Sequence, residues 1–148
     1  AFSAGYFTTN QGEAQWGIYN LRNSTTTTTP AVLTTDGTAS PGTANQVILA
    51  PNSAYYFKGS VIANVTGAAN GKAWSFEGAI MRGANAASTT LVGLGITANL
   101  VAQDAGASTW TVTATADTTN GGLAITFTGQ AATTIRTVAK VETAEMTY

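Results

Sequence analysis

The chain has no cysteine and no histidine, three prolines, and charged side chains at only 9% of its 148 positions. Each shortage removes a class of chemistry. Without cysteine there is no disulfide and no thiolate metal ligand. Without histidine there is no imidazole zinc site, no Ser-His-Asp or Cys-His nucleophile, and no pH switch near neutrality. The formal net charge is −1, and the six cations, Arg22, Lys58, Lys72, Arg82, Arg136 and Lys140, stand apart from one another. That leaves no basic cluster to hold nucleic acid or an anionic membrane surface. Apolar runs fall far short of the ~20 residues of a membrane-spanning helix, so no membrane insertion is expected. No charged segment followed by an apolar run opens the chain, which predicts a mature soluble chain or an excised domain.

What the sequence has in quantity is alanine and threonine, 27 and 28 residues respectively. With alanine set aside, the 44% hydrophobic content falls to roughly a quarter of the chain. Threonine is stiff at its β-branch and suits a half-buried pleated strand, while the scarcity of Lys and Glu disfavours solvent-exposed helices. A chain of about 150 residues buries roughly 68–70% of its extended surface as one domain. We therefore expect a single domain over residues 1–148, with 1–13 as an extended N-terminal arm.

Alternation with period two marks the strands. Tyr55, Phe57, Gly59, Val61, Ala63 and Val65 share one parity, with Lys58, Ser60 and Asn64 on the other. Trp74, Phe76, Gly78 and Ile80 alternate with Ser75 and Glu77, and Trp110, Val112, Ala114 and Ala116 alternate with threonines. Leu123, Ile125 and Phe127 follow the turn signal Asp117-Thr118-Thr119-Asn120-Gly121-Gly122, which predicts an antiparallel hairpin. Another turn is expected at 67–71. Trp16 and Ile18 on one parity, with Tyr19 and Leu21 on the other, predict a strand covered on both faces. Shorter strands are expected at 31–35 and 46–49, and a glycine-interrupted one at 91–100. A last strand is expected over 135–141, ending in a polar tail that reaches Tyr148. These spacings, without a convincing amphipathic helix, predict an all-β antiparallel sandwich, with a jelly roll as one form of it.

Candidate chemistry is sparse. The acids are Glu13, Asp36, Glu77, Asp104, Asp117, Glu142 and Glu145. A carboxylate pair could hydrolyse a glycoside, but Asp36 and Asp117 sit in turn contexts where Asp bonds its own backbone, and Glu77 lies on the polar parity of its strand. No Asp-x-Asp-x-Asp-Gly spacing and no Walker lysine pattern appear, so neither a metal site nor a cofactor is expected. Asn23-Ser24-Thr25 and Asn64-Val65-Thr66 fit the glycosylation sequon, a chance match in so threonine-rich a chain. The threonine run 25–29 reads as an edge strand or extended loop, or as a ladder of hydroxyls meeting a neighbouring subunit or a glycan.

The aromatics divide by parity. Trp74 and Trp110 fall on apolar positions and are expected in the core. Trp16, Tyr6, Tyr19, Tyr56 and Tyr148 are the surface candidates, with Tyr56 foremost because it lies on the polar side of its strand. Such rings either stack on sugars or mark a protein interface. Long strands of small residues leave little core per chain, so homo-oligomerisation is the physical expectation.

Several segments carry a resemblance: Gln15-Trp16-Gly17-Ile18-Tyr19-Asn20-Leu21-Arg22, the threonine run to Thr-Pro-Ala-Val-Leu-Thr-Thr-Asp-Gly, Pro51-Asn52-Ser53-Ala54-Tyr55-Tyr56-Phe57, Phe76-Glu77-Gly78-Ala79-Ile80-Met81-Arg82-Gly83, Thr115-Ala116-Asp117-Thr118-Thr119-Asn120 and Ala139-Lys140-Val141-Glu142-Thr143. From about Glu13 onward the chain resembles a β-rich module of tailed-bacteriophage virion proteins, of the kind found in tail fibres, tailspikes and other particle-surface proteins. The resemblance implies a rigid, often trimeric structure on the virion surface, contacting other virion proteins or a host cell-surface glycan, with no catalytic residues to transfer. The expected function is that of a non-enzymatic tail-fibre or spike domain in host attachment or particle assembly. The alternatives are a capsid decoration or head-fibre protein, and a carbohydrate-binding module.

Overall fold

In the computed structural model, which describes residues 2–5, 13–37, 40–67, 70–93 and 96–148, the period-two segments are antiparallel strands. In chain order these are β1 (Phe2–Gly5), β2 (Ala14–Thr25), β3 (Ala31–Val32), β4 (Val47–Ile48), β5 (Ser53–Val65) and β6 (Gly71–Arg82). There follow β7 (Thr90–Leu91), β8 (Ile96–Thr97), β9 (Asn99–Gln103), β10 (Thr111–Asp117), β11 (Gly122–Thr128) and β12 (Ile135–Thr147). Two single 3-10 turns, Ala86–Ser88 and Ala105–Ala107, are the helical elements among the described residues.

The strands form two antiparallel sheets. A seven-stranded sheet runs β1-β2-β12-β5-β6-β7, with β9 also on β6, and a five-stranded sheet runs β3-β11-β10-β8, with β4 also on β11. Burial alternates along each long strand, as a sheet covered on one face requires. Leu21, Phe57, Val61, Trp74, Phe76 and Val141 of the large sheet join Trp110, Val112, Leu123, Ile125 and Phe127 of the region around the small sheet in one core. Trp74 and Trp110 each meet Phe127 edge-on at 6.1 Å between ring centres, a favoured aromatic geometry. Both tryptophans are buried, as their parity predicts.

Lys72 is also drawn in. Its ammonium donates to the Trp110 carbonyl at 2.8 Å and lies 5.4 Å from the centre of the Trp74 ring, while burial pulls its pKa below the usual lysine value. The hairpin between β10 and β11 forms in the expected place, with Asp117 paired to Gly122. Gly121 supplies the left-handed φ of +79° that the turn needs, and its N–H returns to the Asp117 carbonyl at 2.9 Å. At the other predicted turn the Val65 N–H bonds the Asn70 carbonyl at 2.9 Å.

Several expectations change. The polar tail after 141 belongs to a strand: β12 continues to Thr147 and runs between β2 and β5 along its whole length. Thr143 and Glu145 are buried there because neighbouring side chains satisfy their polar atoms, so polarity does not end the strand. The 91–100 segment divides among β7, β8 and the start of β9. β2 is covered on one face only: Leu21 is buried, but Trp16 and Ile18 stand exposed on the side away from the small sheet. Part of the expected arm, β1, is a strand paired to β2. Thr25 closes β2 and residues 26–29 form an exposed bend, the loop form of the threonine run.

Candidate functional site

The outward side of the large sheet collects the exposed apolar groups. Pairing across β2, β12, β5 and β6 arranges the side chains in rows. One row reads Trp16, Ala144, Tyr56, Ala79. The next reads Ile18, Glu142, Lys58, Glu77, and then come Asn20, Lys140, Ser60, Ser75. Beyond them lie Arg22, Val138, Ile62 and Ala73, while Ala14, Met146, Ala54 and Met81 close the opposite end. Two apolar zones thus flank a charged and hydroxylated middle. Trp16 is 49% exposed, Tyr56 44% and Ile62 53%, and Ile18, Val138, Met81 and Met146 are exposed as well. Scattered apolar residues are ordinary on a protein surface, but a contiguous zone of them on one face marks an interaction surface.

In the middle rows Lys140, Glu142 and Glu77 are engaged within the chain. Lys140 pairs with Glu142 at 2.9 Å, and the Lys140 hydrogen bond and charge hold the Glu142 carboxyl below its usual value. The Tyr56 hydroxyl donates to Glu77 at 2.5 Å, and that bond raises the phenol pKa. A shallow groove of about 300 Å³ bounded by Ile62, Ala73, Val101 and Val138 lies beside these rows.

Of the aromatic candidates, Trp16 and Tyr56 come together on this face, with Ala144 between them. Tyr148 is exposed at the end of β12, its hydroxyl donating to the Arg82 carbonyl at 3.3 Å. Tyr19 does not join them. It points to the inner side, where its hydroxyl donates to Glu145 at 3.2 Å. Tyr6 lies outside the described residues.

Parity alone missed the second polar feature, a buried carboxylate. Glu145, 6% exposed, accepts from Gln15 Nε2 at 2.6 Å, Tyr19 Oη and Thr143 Oγ1 at 2.5 Å. Gly17 leaves the space, since a Cβ there would sit 3.0 Å from both Glu145 Oε2 and Thr143 Oγ1. Burial first, and then the Glu145 charge, push the Tyr19 and Tyr55 phenols up, Tyr55 to about 12. With each oxygen of Glu145 engaged, the cluster reads as a structural network.

The three aspartates hold turns and loops. Asp117 accepts from the Thr119 and Asn120 N–H groups and from the Gln46 and Asn120 side chains. Asp104 accepts from the Gly71 N–H at 2.9 Å, and Asp36 from the Thr34 hydroxyl at 2.9 Å. Among the described residues no three metal-ligating side chains cluster, and no helix is long and apolar enough to cross a membrane. Neither family models, nor curated proteins, nor solved structures give a match to this chain.

Proposed function

We propose that this chain is a non-enzymatic structural protein of a tailed-phage virion, a fibre or spike domain that acts by assembling with copies of itself and displaying a stiff surface. The observation that carries the reading is the broad outward face of the large sheet, where apolar side chains stand exposed across four long strands. A reaction site needs convergent polar groups in a concave pocket, and this face is open, with Lys140, Glu142 and Glu77 already engaged by neighbours on it. The sequence segments given above supply the phage assignment. Proteomics of purified particles, with the chain located by electron microscopy, tests it. Stoichiometric presence on the particle surface is expected, and absence from intact particles overturns the reading.

One arrangement favours a second reading, host-glycan attachment. Trp16 and Tyr56 stand two strand spacings apart, about 10 Å, with only Ala144 between them. Two rings raised above a small residue offer a stacking platform for a saccharide. A glycan array probed with a multivalent form of the protein tests this, with Tyr56→Ala as the variant expected to lose binding while keeping its fold.

A further inference from the structure

We propose that two copies of the chain pair face to face through the outward side of the large sheet, about a two-fold axis running along the strands between β12 and β5. The inference rests on the reading that this face serves self-assembly, and it names the partner and the symmetry.

The support is that the face is complementary to itself. A two-fold axis in that position keeps every cross-strand row in its own row and exchanges its halves, so β12 of one copy lies over β5 of the other and β2 over β6. Pairing within the rows then follows from the register. Glu142 meets Lys58 of the second copy, an opposite charge. Val138 meets Ile62, apolar against apolar, and Asn20 meets Ser75, polar against polar. Large side chains meet small ones wherever bulk could collide: Tyr56 over Ala144, Trp16 over Ala79, Met146 over Ala54, Met81 over Ala14. Ile18 falls opposite Glu77 at the rim, where Glu77 keeps its Tyr56 hydrogen bond.

In the central rows the charges balance, while Arg22 at the end of its row donates to the Thr35 carbonyl at 2.6 Å. Lys58 and Lys140 balance Glu77 and Glu142 in each copy, and their alternation penalises a slipped register, since a shift sets like charges together. The size also fits. Strands of 12 or 13 residues rise ~3.3 Å per residue, and four of them at ~4.8 Å spacing make a face of roughly 40 by 19 Å. That is close to the ~800 Å² each partner contributes to a stable interface. Stacked twisted sheets sit about 10 Å apart at about −30°, so the pairing is tightest in the central rows, where Glu142, Lys58, Lys140 and Ser60 lie.

Sedimentation of the intact chain, with two charge reversals, tests this. The wild type is expected to be dimeric at about 100 μM and to dissociate on dilution. Lys58→Glu alone and Glu142→Lys alone each set like charges against each other twice in the dimer, and each is expected to weaken self-association by at least about 100-fold. An equimolar mixture of the two variants is expected to pair again, because each reversed charge then faces its complement in the other chain. Charge balance within one chain cannot produce that rescue. Ala79→Trp, which leaves the charges alone, is expected to block pairing by occupying the space of the partner's indole, with the fold checked by near-ultraviolet circular dichroism.

A wild-type monomer at several hundred micromolar, a trimer, single reversals that pair normally, or folded variants that fail to pair on mixing would each overturn the two-fold arrangement. Particle incorporation is read separately, so a virion role can stand where this pairing fails.

Discussion

The Tyr19 hydroxyl donates across 3.2 Å to the Glu145 carboxylate, joining β2 to β12 through a buried polar contact. Loss of solvent, and then the neighbouring negative charge, hold both Tyr19 and Tyr55 in the neutral form, Tyr55 up to about 12. A tyrosine in the unfolded chain ionises near pH 10. The folded-state values are raised, so the stability these phenols contribute is complete below pH 10 and is lost as pH rises toward and through the folded values. Unfolding free energy measured in urea should therefore be level from about pH 8 to 9.5 and fall above about pH 10. Tyr19→Phe should make that fall shallower, and an unchanged alkaline slope would count against the assignment.

Gly59 admits no side chain. It lies opposite Phe76 on the inward side of β5, and a Cβ would collide with the Phe76 ring and approach the Lys140 carbonyl to 2.6 Å. Backbone cannot yield as a flexible side chain can, so Gly59→Ala should destabilise the fold by about 1–3 kcal/mol despite its gain in strand propensity. Ser60→Ala, one position along on the outward side, should stay within about 0.5 kcal/mol of wild type. Equal melting curves for the two variants would refute the crowding.

Asp117 ties the β10–β11 hairpin to the loop carrying Gln46. Burial pushes its carboxyl up, but the bonds from Asn120, Gln46 and Thr119 together outweigh that, and the group rests below the usual aspartate value. A depressed folded-state value contributes stability that is present above the unfolded value and lost as pH falls through the folded one. Asp117→Ala should cost about 2 kcal/mol near neutrality and flatten part of the acid-side decline. Chemical denaturation at pH 7 and pH 3 compares the two; a cost that is the same at both would contradict the role.

The strands and the core were legible in the sequence wherever one face of a strand is apolar and the other polar, as in Tyr55 to Val65 and Trp110 to Ala116. Period-two patterning carries that information locally. It failed where a long-range partner decides the outcome. Glu145 looked like part of a solvated tail, because nothing nearby in sequence shows that Gln15 and Tyr19, 130 and 126 positions away, complete its hydrogen bonds. Apolar residues on both parities of β2 suggested cover on both faces, yet Trp16 and Ile18 are left outside. Those same two residues belong to the candidate interaction face, so the apparent failure of the pattern is itself informative: a residue that reads as core but is solvent-exposed is a candidate for burial by a partner. The rows themselves were not legible, since they depend on the register that sets Ala144 between Trp16 and Tyr56.

The tryptophans offer a direct reading of that face. Trp110 is 1% exposed and Trp74 is buried, whereas Trp16 is 49% exposed, so in the isolated chain acrylamide should quench chiefly Trp16. Trp16→Phe should remove the quenchable, red-shifted part of the emission. Trp110→Ala should cost about 3–5 kcal/mol of stability. If the outward face is covered in an assembly, quenching of the wild type should decrease as protein concentration rises from about 1 to about 100 μM, the span over which an interface of micromolar affinity fills. The Trp16→Phe variant should show no such dependence. Concentration-dependent protection that survives in Trp16→Phe would place the contact elsewhere on the molecule.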